Sequence, residues 1–200
     1  MESKKTEIKF FEQFKLGQGT PEKGKILISE PFSPPSIFSR SVVLLVEHDS
    51  NGSLGFILNK PSGLFVQDVL ENFPPFEAEV FLGGPVERNR LYFIHTKGND
   101  IKGSIHVKDN LYWGGNFEDL KKLIEKGEIN RKEVKFFAGY SGWGSRQLQN
   151  ELKRKSWIVA TATVKSIMET EPKVMWNLMV KGLGENFEIM TKFPIDPTLN

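Results

Sequence analysis

The sequence predicts one domain of mixed α+β class, and three features carry that expectation. Residues 41–48 and 54–60 are strand-like and flank Asn51-Gly52, the residue pair preferred in a tight type I′ hairpin turn. Residues 116–126 carry the caps and apolar stripe of an amphipathic helix. The third feature is Phe137-Ala138-Gly139-Tyr140-Ser141-Gly142-Trp143-Gly144, three glycines among large aromatics, followed by the helix-like residues 145–155. It reads as strand, tight glycine loop and helix. Strands and helices alternate irregularly around at least one antiparallel hairpin, the pattern of an α+β or α/β domain.

The elements follow in chain order. Phe10, Phe11 and Phe14 fall at near-helical spacing, so residues 1–20 are expected to form an N-terminal arm with a short docked helix, hinged at residues 17–21. The remaining residues, 21–200, form the domain. Residues 25–29 read as a strand, and Pro31, Pro34 and Pro35 force a loop after it. With Asn51 and Gly52 as the central turn residues, His48 would oppose Gly55, Val46 would oppose Ile57 and Leu44 would oppose Asn59. That register places His48, Gly55 and Asn59 on one face, and alternation adds Arg40.

Beyond the hairpin, residues 66–71 suggest a short helix and residues 80–82 a strand entering the turn Gly83-Gly84-Pro85. Residues 91–96 and 101–107 read as two further strands. In the helix at 116–126, Asn116 is the cap, Glu118 and Asp119 lie in the first turn, and Gly127 stops it. Residues 134–138 form the strand feeding the glycine loop, residues 157–160 return as a strand, and a last helix runs from Pro172 to Gly182.

Composition excludes several function classes. The 200 residues are 38% hydrophobic and 26% charged, as in an ordinary globular protein. With 27 basic against 25 acidic residues, the chain lacks the lopsided charge of a dedicated polyanion binder. The absence of cysteine removes disulfides, thiolate zinc sites and cysteine nucleophiles, and suits a cytoplasmic location. The longest apolar run, residues 42–46, is too short to span a bilayer. The charged N-terminus is not expected to be a signal peptide, and no membrane association is expected.

Arg40-Ser41-Val42-Val43-Leu44-Leu45-Val46-Glu47-His48-Asp49 and Gly52-Ser53-Leu54-Gly55-Phe56-Ile57-Leu58-Asn59-Lys60-Pro61 resemble the signature of the bacterial YqgE/AlgH family. So do Leu82-Gly83-Gly84-Pro85-Val86 and the glycine-aromatic segment with Gln147-Leu148 and Glu151-Leu152 behind it. The resemblance implies a barrel-like, largely antiparallel sheet core surrounded by helices, in a cytoplasmic protein. One branch of that family is described as a transcriptional regulator of alginate production, and the resemblance carries over no catalytic residues.

The candidate ligand-binding residues are Arg40, His48, Asn59, Gly139, Tyr140, Gly142, Trp143, Gly144 and Arg146. The glycine segment has the order of a phosphate cradle, with Arg146 in the first helical turn, but it lacks the Gly-Lys-Ser/Thr ending and the dinucleotide glycine spacing. Its alternative role is structural, letting Tyr140 and Trp143 pack beside a turn. Arg40, His48 and Asn59 on one face would suit an acidic or phosphorylated ligand, or else serve as internal hydrogen bonding. Glu47-His48-Asp49 has metal-ligand chemistry, but alternation turns both carboxylates away from the imidazole; a polar strand end is the alternative. His95 and His106 stand without partners at metal spacing, and no serine elbow exists. Neither metal nor cofactor is expected.

Lys153-Arg154-Lys155 sits where a helix C-terminus favours cations, and no helix-turn-helix is evident, so direct nucleic-acid contact is not expected. The sequence therefore points to a non-catalytic regulatory module binding a small acidic ligand or a protein partner. The competing readings are an enzyme with its cleft between the hairpin face and the glycine loop, and a DNA-binding regulator.

Overall fold

The computed structural model describes residues 19–31, 36–181 and 183. The expected arm helix with Phe10, Phe11 and Phe14, most of the proline loop and the end of the last helix at Gly182 lie outside them. Among the described residues ten strands are formed: β1 Ile26–Ser29, β2 Val42–His48, β3 Gly52–Ile57, β4 Pro61–Phe65, β5 Glu79–Leu82, β6 Val86–His95, β7 Ile105–Lys108, β8 Leu111–Trp113, β9 Val134–Gly144 and β10 Trp157–Ala160. The helices are α1 Val66–Val69, α2 Phe117–Glu125, α3 Gln147–Lys153, α4 Val164–Glu169 and α5 Pro172–Lys181, with one 3-10 turn at Gly98–Asp100.

The strands form one sheet in the order β10-β1-β2-β3-β9-β6-β8-β7, and β4-β5 is attached through β9. All pairings are antiparallel except β5 with β9. The two ends of the path approach each other: Lys108 Nζ donates to the Ala162 carbonyl at 2.8 Å, and the Lys108 side chain lies against Gly24. The sheet thus wraps round a core as a barrel would, but β7 does not pair with β1 or β10, so among the described residues it is not closed.

Alternation along the strands fills three apolar layers. Ile26, Ile28, Leu44, Val46, Phe56 and Phe137 point into the wrapped core, which α4 and α5 cap with Ile167, Met175 and Trp176. Phe93, Val134 and Phe136 face the other side under α2, whose Leu120 and Ile124 cover them. Leu27, Val43, Leu45 and Ile57 face outward beneath α3. Asn116 caps α2 as its sequence signals, accepting from the backbone N–H groups of Glu118 at 2.8 Å and Asp119 at 3.2 Å.

The glycine segment is not a loop. β9 runs on through Gly144 as an eleven-residue strand with three partners. Residues 136–138 pair with β5 on one edge, residues 141–144 pair with β3 further along that edge, and β6 takes the opposite edge. Since β9 lies between β5 and β6, their connection, Gly83-Gly84-Pro85, has to cross it. At the crossing a Cβ on Gly83 would lie 2.2 Å from the Gly139 carbonyl oxygen, and one on Gly84 would lie 2.2 Å from the Tyr140 carbonyl. Gly139 itself has φ +70, a conformation L side chains avoid. The glycines are there so that two backbones can touch, which the expected tight turn into a helix did not anticipate. The helix that follows begins later than the sequence suggests, after Arg146 at φ +62.

The hairpin register also differs. Asp49 Oδ1 accepts from the N–H groups of Asn51 at 2.7 Å and Gly52 at 3.1 Å, and Asp49 N–H donates to the Gly52 carbonyl at 3.0 Å. The turn is therefore centred on Ser50-Asn51, because the aspartate side chain closes it. His48 pairs with Ser53, and a bulge at Val46 then sets Leu45 opposite Gly55. Strands β4 and β8 and helix α4 had no strong sequence signal.

Gly84→Ala is expected to destabilise the protein by more than about 3 kcal/mol in urea unfolding, because the methyl overlaps the Tyr140 backbone. Gly144→Ala, with nothing within 4 Å of its Cβ, is expected to stay within about 0.5 kcal/mol of the parent.

Candidate functional site

A groove of about 470 Å³ opens where the β2–β3 turn meets the end of β9, lined among others by Glu47, Asp49, Ser53, Tyr140, Gly142 and Gly144. The bulge at Val46 brings Glu47 opposite Leu54, and the side-chain-closed turn fixes Asp49 two residues on. One Asp49 oxygen is engaged by the turn N–H groups; among the described residues neither carboxylate has an ion-pair partner. Tyr140 is held by a T-shaped contact with Tyr92, ring centres 5.7 Å apart, and its ring edge lies over Gly142. Tyr92 in turn bonds the Glu87 carboxylate; burial first, and that bond second, raise its phenol above the usual range.

Of the candidate residues, Tyr140, Gly142, Trp143 and Gly144 line this groove. Gly139 serves the strand crossing. Trp143 gives its backbone to the groove, while its indole is buried on the other face, where its N–H donates to Glu151 Oε2 at 2.9 Å. The same oxygen accepts from the Trp157 indole at 2.7 Å, and Gln147 holds the other at 3.0 Å. Glu151 thereby pins α3 to the sheet, a role the sequence hinted at only through the shared signature of Gln147, Glu151 and the glycine segment. Arg146 initiates α3 and does not line the groove.

Arg40, His48 and Asn59 do not form one site. Arg40 and Asn59 stand at the start of β2 and His48 at its far end, because alternation can put residues on one face but the length of β2 separates Arg40 from His48. Asn59 is buried and accepts from Val42 N–H while donating to the Arg40 carbonyl, both at 2.9 Å. This is the internal hydrogen-bonding role. The Arg40 guanidinium stacks 5.1 Å from the Trp176 ring centre. Lys60 donates to the Ser39 carbonyl at 2.7 Å; burial, then the nearby Arg40 charge, pulls its ammonium below the usual range. His48 Nδ1 shares a 2.7 Å hydrogen bond with Ser53 Oγ.

Among the described residues no three His, Cys, Asp or Glu side chains converge to hold a metal ion. His106 Nε2 donates to the Asp109 carbonyl at 2.8 Å in the β7–β8 turn. His95 is fully buried. Its Nδ1 accepts from Lys97 N–H at 3.2 Å, so the proton sits on Nε2, which faces Ser104 Oγ at 2.9 Å and the Gly114 carbonyl at 3.2 Å. The Ser104 hydroxyl donates its own hydrogen bond to the Ile101 carbonyl at 2.6 Å. The neutral ring is fully satisfied, and burial, partly offset by the Gly114 carbonyl, holds its pKa down at about 4.

The sequence pattern of the AlgH-like family matches residues 26–188. A UPF0301 protein of Cytophaga hutchinsonii is 46% identical over 179 residues, covering 89% of this chain and 98% of the relative. One from Parabacteroides distasonis is 45% identical over 182 residues, covering 90% of this chain and 92% of that protein. The solution structure of the AlgH protein from Pseudomonas aeruginosa superposes with a TM-score of 0.70 at 27% identity, over 88% of this chain and 97% of its own. The crystal structure of a Corynebacterium diphtheriae protein gives 0.74 at 20% identity, over 92% and 97% of the two chains, and speaks for the fold.

Two outcomes test these assignments. The unfolded His95 titrates near 6.5 and the folded one at about 4, so the unfolded state alone takes up the proton between those values. Stability is expected to fall by about 2 to 3 kcal/mol from pH 7 to pH 4.5 through this group. His95→Gln, measured by urea unfolding at both values, is expected to flatten the decline by that amount. Glu151→Ala, which leaves two indole N–H groups without their acceptor, is expected to cost about 2 to 4 kcal/mol at pH 7.

Proposed function

The chain belongs to the AlgH-like family, and on that premise we propose that it is a non-catalytic regulatory module that binds a positively charged group of a ligand or partner protein in the groove beside the β2–β3 turn. One observation carries the reading: Glu47 and Asp49 line the groove beside Tyr140, and among the described residues no lining residue is basic. Carboxylates without an ion-pair partner favour a cation. An acidic ligand would be repelled there, and the residues that suggested one, Arg40, His48 and Asn59, are apart. Family membership brings no assigned reaction. The absence of cysteine supports work in the cytoplasm, and no helix among the described residues is long and apolar enough to cross a membrane.

A second reading rests on the 2.7 Å pair of His48 and Ser53, a base and a hydroxyl beside the β2–β3 turn, which favours an acyl-transfer enzyme. Labelling of Ser53 by a fluorophosphonate, lost in Ser53→Ala, would establish it; an unlabelled protein excludes it.

The binding reading is tested by titrating 15N-labelled protein with spermidine. Amide shifts are expected to cluster on Glu47, Asp49 and residues 142–144, and to shrink several-fold in Glu47→Gln. Shifts scattered elsewhere, or unchanged in that variant, would contradict the reading.

A further inference from the structure

Among the described residues, β9 has an edge without a partner strand beside the groove, and the hydrogen-bond pattern of the hairpin shows which groups it presents. Gly52 directs its carbonyl and N–H toward β2, where Asp49 meets both. In an antiparallel ladder a residue turns both backbone groups to the same side, and successive residues alternate. Gly52 therefore does not bond its opposite number Gly144; Ser53 bonds Trp143, and Leu54 does not bond Gly142. The backbone groups of Gly142 and Gly144 consequently face the opposite edge of β9. There β6 stops at Val86, opposite Tyr140, because Pro85 and the crossing glycines carry the chain away over β9.

No strand among the described residues lies beside Gly142 on that edge. Gly144 N–H meets only the side chain of Gln147, whose Oε1 accepts at 3.1 Å, as an incoming carbonyl would. Gly142 and Gly144 are exposed, and among the described residues the Gln147 side chain is what meets the edge at Gly144. The same edge borders the groove that holds Glu47, Asp49 and Tyr140.

We propose that the groove's occupant is an extended basic peptide segment of a protein partner, which adds as a strand to β9 at residues 142–144 in the place β6 vacates, with lysine or arginine side chains toward Glu47 and Asp49. Main-chain bonds to this edge, with an incoming carbonyl taking the place of Gln147 Oε1 at Gly144 N–H, supply affinity, and alternate side chains entering the acidic groove supply selectivity. The short edge suits a partner strand of a few residues and limits pairing between copies of the chain itself. This inference rests on the groove being the binding site, and a compact polyamine satisfies that reading without satisfying this one.

The test uses the full chain and a capped seven-residue peptide alternating arginine with valine, followed by calorimetry. Two N-methylated versions of the peptide are compared, one modified at every arginine and one at every valine. Strand addition alternates, so methylation in one phase is expected to weaken binding at least tenfold and in the other by less than about twofold. Glu47→Gln is expected to weaken the unmodified peptide several-fold and to lessen its loss of affinity with added salt. Equal sensitivity or equal indifference to the two methylated peptides overturns strand addition. So does failure of the peptide to bind where spermidine does, and in both cases the groove remains the site. If neither spermidine nor peptide perturbs the groove, the binding reading falls together with this proposal.

Discussion

Everything in this sheet depends on two stretches of backbone passing in direct contact. The β5–β6 connection crosses β9 with Gly83 against Gly139 and Gly84 against Tyr140, at separations where no Cβ fits. Gly83 is tied in on three sides: its N–H donates to the Ala138 carbonyl at 2.9 Å, and its own carbonyl accepts from Ile57 N–H at 2.9 Å and from Ser141 Oγ at 3.0 Å. One glycine thus joins β3, β5 and β9. Ser141 is wholly buried, so its hydroxyl needs that carbonyl as a partner. The crossing lets β9 exchange β5 for β3 along one edge while β6 holds the other, and all three apolar layers are built on that central strand.

The groove is a by-product of the same constraint. Once Pro85 leaves the edge of β9, the last residues of that strand have, among the described residues, a partner strand on one side only. The β2–β3 turn, closed by the Asp49 side chain, then places two carboxylates over the open side. Behind the strand, Glu151 anchors α3 through two indoles, and Phe38 packs edge-on against Trp157 at 5.5 Å. The groove therefore stands on a rigid back wall, and its own surface is formed largely by backbone and short side chains. Such an arrangement suits recognition by shape, main chain and charge better than it suits proton transfer among converging side chains.

Much of the fold was legible in the sequence where the local signal and the tertiary context agree. Asn116 with its acidic first turn gave α2 almost to the residue, and the β-branched and aromatic run at Trp157–Ala160 gave β10. The glycine segments were visible as special, but sequence spacing alone suggested a turn at Gly139, because a glycine needed for backbone contact looks the same as one needed for positive φ. What distinguishes them is the pairing of two distant segments, and no local pattern encodes that. The hairpin failed for a different reason: Asn51-Gly52 favours a two-residue turn, and the Asp49 carboxylate outbid it by bonding two backbone N–H groups. The Arg40, His48 and Asn59 face fails on distance, since Arg40 and Asn59 lie at one end of β2 and His48 at the other, while the Asp49-closed turn fixes the Glu47 and Asp49 groove. Four of the nine candidate residues still line it, since they belong to the strand that the crossing positions.

Native-state hydrogen exchange at Gly83 and Ile57 addresses the crossing most directly, since both amides bond across it. If the crossing organises the sheet, the two amides open only in global unfolding, and their exchange free energies match the stability from urea unfolding and fall with denaturant at the same slope. Exchange through a local opening, well below the global free energy and insensitive to denaturant, would contradict the account.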